Sequence, residues 1–258
     1  MTSTNRPLTL LVHGAWHRPA HFRSLIRDLR GLGHTVLAPP LASSGYDDSI
    51  DGKTHLDDVR RVHEVLLPYL DAGREAVMLA HSYGGVVATE AIEHHTVAER
   101  KARGLPGGIK AVIYVAASPA VAKGVSMYEA GGNMWHSLHI HTVDENKLPL
   151  IKDAPEVFFH DVECSVRKEA TALLAGQSRA PFEKELTYTI QEIQIPKTYV
   201  LTKLDRAIPP SVQQLAIDVG GCKVVEMECG HSPFLKDTER AVLVQLVVVA
   251  AGGIAVGA

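Results

Sequence analysis

The stretch Ala76-Val77-Met78-Leu79-Ala80-His81-Ser82-Tyr83-Gly84-Gly85-Val86-Val87 constrains this chain most. An apolar run of strand character ends at a small residue, a serine stands two positions later, and two glycines lead into helix-forming residues. A serine at the tip of so sharp a strand-to-helix turn takes strained dihedrals, and the residues two before and two after it must be small to avoid collision. Ala80 and Gly84 fill those places. The layout is that of a nucleophile elbow, with Ala80 adding a methyl where glycine is usual. A plain strand, loop and helix around an ordinary buried serine is the alternative. The two part on whether the rest of the chain supplies a base, an acid and an oxyanion hole in matching order.

Around the elbow, strands alternate with helices. Strands are expected at residues 8–12, 35–38, 76–80, 109–115, 197–201 and 223–227, and helices at 20–32, 55–70, from the elbow to about 94, at 211–218 and from 239 to about 250. Such alternation implies an α/β fold, a mostly parallel sheet with helices on both faces, whose site lies at the carboxyl ends of the strands. The pattern lapses between about 118 and 193, where helix-like runs such as 163–175 occur with no convincing strand. This segment reads as a helical cap inserted in a core made of residues 1–117 and 194–258. With 258 residues, 46% of them hydrophobic, the chain is long enough to bury such a core. In the cap, Met127, Met134, Trp135, Phe158 and Phe159 supply more large apolar surface than a solvent-facing insertion needs. They are expected to line a pocket over Ser82, unless they form a core for the cap alone.

A base and an acid stand where this architecture would put them. His231, in Cys229-Gly230-His231-Ser232-Pro233, follows the last strand, and Asp205 follows the one before it. Serine needs a neighbouring imidazole to take its proton, and the imidazole needs a carboxylate to fix its tautomer. Glu226, Glu228 and Asp237 are weaker rivals for the acid, because they flank the strand itself or lie on the terminal helix. Two backbone N–H groups should form the oxyanion hole: Tyr83, just after the nucleophile, and Ala15, after the first strand, where Gly14 lets the backbone approach the substrate closely. His13 is expected to brace its loop and His81 to pack beside the elbow.

Composition excludes several other classes. A net charge of −3 leaves no footprint for nucleic acid. Three cysteines, Cys164, Cys222 and Cys229, form neither a disulfide framework nor a C-x-x-C metal site and fit a reducing compartment. His136, His139 and His141 cluster without an acidic or cysteine partner at ligand spacing, so no metal is expected. Residues 1–7 are polar and run straight into a strand with no signal-peptide core, which reads as cytoplasmic. Residues 241–258 are apolar apart from Gln245 and approach the length of a membrane span. A buried terminal helix is the better reading: Asp237-Thr238-Glu239 marks a helix start, Gly252 and Gly253 break it, and flanking basic residues are missing.

His13-Gly14-Ala15-Trp16, Leu32-Gly33-His34-Thr35-Val36, Leu41-Ala42-Ser43-Ser44-Gly45, the Ser82 elbow, Asp205 and Gly230-His231 together resemble the α/β-hydrolase subfamily of plant methylesterases, the salicylate-binding esterase and the hydroxynitrile lyases. The likeness runs over nearly the whole chain, strongest in the first hundred residues and the last sixty and loose in the cap. It implies an α/β-hydrolase fold and a cofactor-free serine hydrolase with Ser82, Asp205 and His231 as its triad. It also implies oxyanion donors at Ala15 and Tyr83, and a lidded pocket for a small-molecule ester. The lyases carry a threonine after the first histidine and a lysine directly after the catalytic one, whereas Gly14 and Ser232 stand here. The esterase pattern fits better, since cyanide release needs a positive group. The expected activity is therefore cleavage of a small carboxylic ester through an acyl-enzyme, with no cofactor, nucleic acid or membrane partner and a homodimer left open. The alternatives are lactone, thioester or carbon–carbon bond cleavage or a cyclisation by the same triad, and a ligand-binding protein without turnover.

Overall fold

The computed structural model describes residues 8–132, 146–148, 150–151 and 153–253. From the amino-terminal side the elements run β1 (Leu8–Val12), α1 (Arg23–Gly31), β2 (Val36–Leu37), β3 (Ser44–Gly45), α2 (His55–Asp71), β4 (Glu75–His81), α3 (Gly84–Ile92), α4 (Val97–Ala102) and β5 (Gly108–Val115). Next come α5 (Met127–Ala130), β6 (Lys147–Leu148), α6 (Ala154–Phe158), α7 (Cys164–Ala172), β7 (Gly176–Ser178) and α8 (Ala180–Glu183). The chain returns through β8 (Lys197–Thr202), α9 (Pro210–Gly220), β9 (Lys223–Met227) and α10 (Asp237–Ala250). Six strands form one parallel sheet in the order β2-β1-β4-β5-β8-β9. β4, which delivers the serine, is thus central.

Alternation along the strands sends side chains to two apolar layers. Leu8, Leu10, Val12, Ala76, Met78 and Ala80 pack with α2 and α3 residues such as Leu66 and Val87. Leu11, Val77, Leu79, Ile113 and Val115 pack on the other face with Leu25 and Leu29 of α1 and Leu243 and Val247 of α10. Burial on both faces explains why β1 reads as an apolar run interrupted only by Thr9. The terminal helix is part of this second layer. Its 14 residues span about 21 Å at 1.5 Å per residue, short of the roughly 30 Å of a bilayer core. Among the described residues no helix is long and apolar enough to cross a membrane.

The segment between β5 and β8 departs from expectation. It holds helices, but β7 pairs antiparallel with β3 on one side and β6 on the other in a second, three-stranded sheet, where the sequence reading finds no convincing strand. Two or three paired residues per strand are too few for an alternating pattern to register. Nor does the segment have a core to itself: Leu148, Phe158, Phe159 and Phe182 belong to the same apolar cluster as α2 and α3.

Candidate active site

Ser82 follows β4 directly, with φ +54°, a left-handed conformation that costs a residue bearing Cβ roughly 1–2 kcal/mol. Its neighbours hold it there. The Ser82 N–H donates to the Val115 carbonyl at 3.2 Å, and the Ser82 carbonyl accepts from Ser118 N–H at 3.0 Å. Gly84 is needed for room: a Cβ there would stand 2.5 Å from the Val12 carbonyl oxygen and 2.7 Å from that of His13. Gly85 is similarly pressed on Ser118, at 2.8 Å. Ala80 lies within β4, in register with Val12 and Tyr114 and fully buried, so its methyl sits in the core without blocking the turn.

The loops after β8 and β9 bring Asp205 and His231 together. His231 Nδ1 donates to Asp205 Oδ2 at 2.8 Å, with both side chains buried. Asp205 is saturated by further donors: Ala207 N–H at 2.7 Å and Ile208 N–H at 2.9 Å on Oδ1, and Thr202 Oγ1 at 2.9 Å and Gln213 Nε2 at 3.2 Å on Oδ2. A carboxylate held on so many sides cannot turn, so the imidazole tautomer is fixed with its proton on Nδ1. The lone pair of Nε2 is left bare, in a buried atom with no hydrogen-bond partner among the described residues. Such a bond to a serine often tightens only when substrate is present. The rival acids stand elsewhere: Glu226 and Glu228 pair with Lys203 at 3.0 and 2.7 Å, with side chains 59% and 70% exposed. Asp237, itself in solvent, pairs with the buried Arg240.

Histidines frame this centre. His81 Nε2 donates to the His231 carbonyl at 3.0 Å, and the two rings lie 4.6 Å apart, tying the end of β4 to the loop that carries His231. His13 braces its loop: Nε2 accepts from Leu41 N–H at 3.1 Å, so Nδ1 carries the proton and donates to the Gly14 carbonyl at 2.9 Å. Burial holds its pKa down at about 3. His17 donates from Nδ1 to the Ala15 carbonyl at 2.9 Å, and its ring lies 5.1 Å from that of His81. Burial keeps both His17 and His81 neutral by lowering their pKa values well below the usual histidine range. The sequence reading missed His17; its place four residues after His13 was the available signal.

Gly14 presses on Ser82, where a Cβ would come within 2.7 Å of Ser82 Cβ and 3.2 Å of Ser82 Oγ. Ala15 follows Gly14 directly, and both Ala15 and Tyr83 are buried. Of the residues expected to line a pocket, Phe158 faces His231, its ring 5.5 Å from that of His231 and 6.0 Å from Trp16. Both rings lie against His17, Phe158 at 5.1 Å and Phe159 at 5.7 Å, but Phe159 goes on to stack on His21 at 6.2 Å. Met134, Trp135, His136, His139 and His141 lie outside the described residues. Among the described residues no cluster of histidine, cysteine or carboxylate side chains could hold a metal ion.

Asp58 of α2 was also missed. It is fully buried, accepting from Ser43 N–H at 2.8 Å, Ser43 Oγ at 2.6 Å and Tyr83 Oη at 2.5 Å. Burial pushes its pKa up to about 6 against the pull of these hydrogen bonds.

Comparison with known proteins agrees with this architecture. Residues 9–245 match the model of the alpha/beta hydrolase family. The chain is similar to the alpha/beta hydrolase nvfD of Aspergillus novofumigatus, 26% identical over 92% of this chain and 94% of that protein. It is 25% identical to a pyrethroid hydrolase of Sphingobium wenxiniae, over 90% of this chain and 83% of the relative. Methylesterase 17 of Arabidopsis thaliana is 26% identical, over 80% and 78%. Among solved structures, a pyrethroid hydrolase from Sphingobium faniae superposes with a TM-score of 0.74 at 23% identity, covering 95% of this chain and 97% of that one. With its parallel sheet, its serine on a strained turn after β4 and its matched residues spanning nearly the whole length, the chain belongs to the alpha/beta hydrolase family.

Proposed function

We propose that this hydrolase cleaves a small-molecule carboxylic ester, with Ser82 as nucleophile, His231 as base and then acid, and Asp205 orienting the imidazole. The observation that carries the reading is the His231–Asp205 bond with its bare Nε2, on the loop that His81 ties to the nucleophile strand. Ser82 attacks the acyl carbon as His231 takes its proton, and the tetrahedral oxyanion is held by the N–H groups of Ala15 and Tyr83. His231 returns the proton to the leaving alcohol, water frees the acyl group, and Asp205 stabilises the imidazolium in both half-reactions.

The residues after the base favour ester cleavage over cyanohydrin cleavage. Ser232 is buried beside it, and Lys236, the next cation along the chain, is engaged by Asp161 at 2.8 Å and Glu239 at 2.9 Å. The pyrethroid hydrolase and methylesterase relatives support the same class, and Phe158 and Trp16 beside His231 suit an apolar or aromatic acyl or alcohol group. The segment 118–193 would then act as the lid. The test is labelling by a fluorophosphonate probe, followed by turnover on aryl, methyl and lactone substrates. Ser82→Ala is expected to abolish labelling and hydrolysis with an unchanged melting temperature; undiminished labelling of that variant refutes Ser82 as nucleophile.

A further inference from the structure

Gln177, fully buried in β7, has no part in the mechanism above, yet it grips the loop that carries Ala15. Its Oε1 accepts from the Trp16 N–H at 3.3 Å, and two residues earlier Ala175 N–H donates to the Trp16 carbonyl at 2.8 Å. One short segment therefore holds both backbone polar groups of Trp16. Trp16 needs holding, because its φ is +60°, a conformation that L side chains rarely adopt. The peptide plane between Ala15 and Trp16 is fixed at both ends, its carbonyl by His17 Nδ1 at 2.9 Å and its N–H by Gln177. Fixing that plane aims the preceding one, which bears the Ala15 N–H.

The same side chain reaches the other half of the hole. Gln177 Nε2 donates to Ser43 Oγ at 3.0 Å and to the Ser178 carbonyl at 3.3 Å. Ser43 Oγ in turn donates to Asp58 Oδ2, which also accepts the Tyr83 hydroxyl. We propose that Gln177 is a positioning residue which, through Trp16 on one side and through Ser43 and Asp58 on the other, sets the Ala15 and Tyr83 N–H groups at the spacing the oxyanion requires. The inference rests on the serine hydrolase reading above. It makes β7 part of the catalytic frame, since a donor displaced from an oxyanion loses stabilisation that operates only in the transition state.

The test uses the full chain with Gln177→Met, which keeps length and removes the polar atoms, and Gln177→Glu, which keeps an acceptor for Trp16 N–H. The readouts are the rate of Ser82 labelling by a fluorophosphonate, kcat and KM on an activated aryl ester, and the melting temperature. Gln177→Met is expected to lower labelling rate and kcat together by about 10- to 100-fold, with KM within about twofold. Gln177→Glu should stay at least about threefold above Gln177→Met, which a merely structural loss would not produce. A folded Gln177→Met that labels at the wild-type rate overturns the proposal, as does a raised KM with kcat unchanged. If Gln177→Met does not fold, Ser43→Ala breaks the chain at its next link; wild-type labelling of both Ser43→Ala and Gln177→Glu overturns the proposal equally. Failure of the wild-type chain itself to label overturns the hydrolase reading and this inference with it, an outcome distinct from equal labelling of wild type and variants.

Discussion

Replacing Asp205 with asparagine tests the triad most sharply, because the structure dictates which way the amide must face. Oδ1 accepts two backbone N–H groups, from Ala207 and Ile208, which cannot reverse. The amide oxygen must stay there, so the NH2 group replaces Oδ2, facing His231 Nδ1, Thr202 Oγ1 and Gln213 Nε2. A donor then meets Nδ1, the imidazole moves its proton to Nε2, and the lone pair that would take the serine proton is gone. In Ser-His-Asp enzymes this exchange costs about 10⁴ in kcat, which is about 5.5 kcal/mol of barrier at 1.36 kcal/mol per decade. Gln213 Nε2 has other acceptors, the Ile208 carbonyl at 2.8 Å and the Thr202 carbonyl at 3.2 Å, so the mismatch is partly relieved. Folding should therefore lose only about 1–3 kcal/mol. The assay is kcat on an activated ester below the variant's melting temperature, beside Glu226→Gln and Glu228→Gln. More than a tenth of wild-type kcat in Asp205→Asn, or an equal loss in either glutamine variant, would refute the assignment of the acid.

Three further outcomes are expected. Gly84→Ala places a methyl 2.5 Å from the Val12 carbonyl oxygen, an overpacking against backbone that should cost at least about 1–3 kcal/mol; a melting temperature equal to wild type contradicts the close approach. Stability should fall as pH drops below about 6.5, because buried His13, with a folded pKa of about 3, and buried neutral His17 and His81 bind protons only once unfolded. Each such histidine contributes up to about 1.4 kcal/mol per pH unit in that window. Asp58, raised to about 6, acts oppositely between its unfolded value near 4 and pH 6, so urea unfolding at pH 5.0 should give at least about 2 kcal/mol less than at pH 7.5. Equal stabilities at the two pH values would show that these histidines titrate in the folded protein. Phe158→Ala should shift the ratio of kcat/KM between bulky and small esters while Phe159→Ala lowers stability by about 3–5 kcal/mol with that ratio unchanged; the reverse pattern would exchange the two roles.

What was legible in the sequence is what local chemistry writes. Ser82 follows β4 directly, and Asp205 and His231 stand on the loops just after β8 and β9, strands that the β/α alternation marks between turn residues, so position and residue type could be read together. The terminal helix was legible for the same reason, its acidic start and glycine stop lying within the segment itself. The frame around the triad was not. Gln177 stands 161 residues from Trp16 and 134 from Ser43, and the strands β3, β6 and β7 that bring them together pair over two or three residues only. No periodicity can mark a ladder that short, and nothing in the letters around Trp16 reports a positive φ at a bulky residue.

Phe158 and Phe159 show how narrow that limit can be. Adjacent and alike in chemistry, they were expected to line one pocket, yet one ring faces His231 and the other stacks on His21. The cause is where α6 stops. Phe158 is its last residue, and Phe159 leaves the helix with φ −136°, so the second ring no longer takes the 100° step of helical neighbours. Helix ends shift by a residue or two under small changes in capping, and Asp153, at the start of α6, makes no side-chain cap bond that would fix its register from the other end. The stacking of Phe159 on His21 therefore depends on α6 ending after Phe158. Lengthening the helix by one turn, as replacing His160 and Asp161 with alanine would favour, should carry Phe159 off His21. That change also removes the bonds from Asp161 to the Gly230 N–H and Lys236, both at 2.8 Å, so the loop of the base loosens at the same time. Lower kcat with altered ester preference is the expected result, and unchanged preference would mean that Phe158 holds its place through packing on Trp16 and His17 rather than through the helix end.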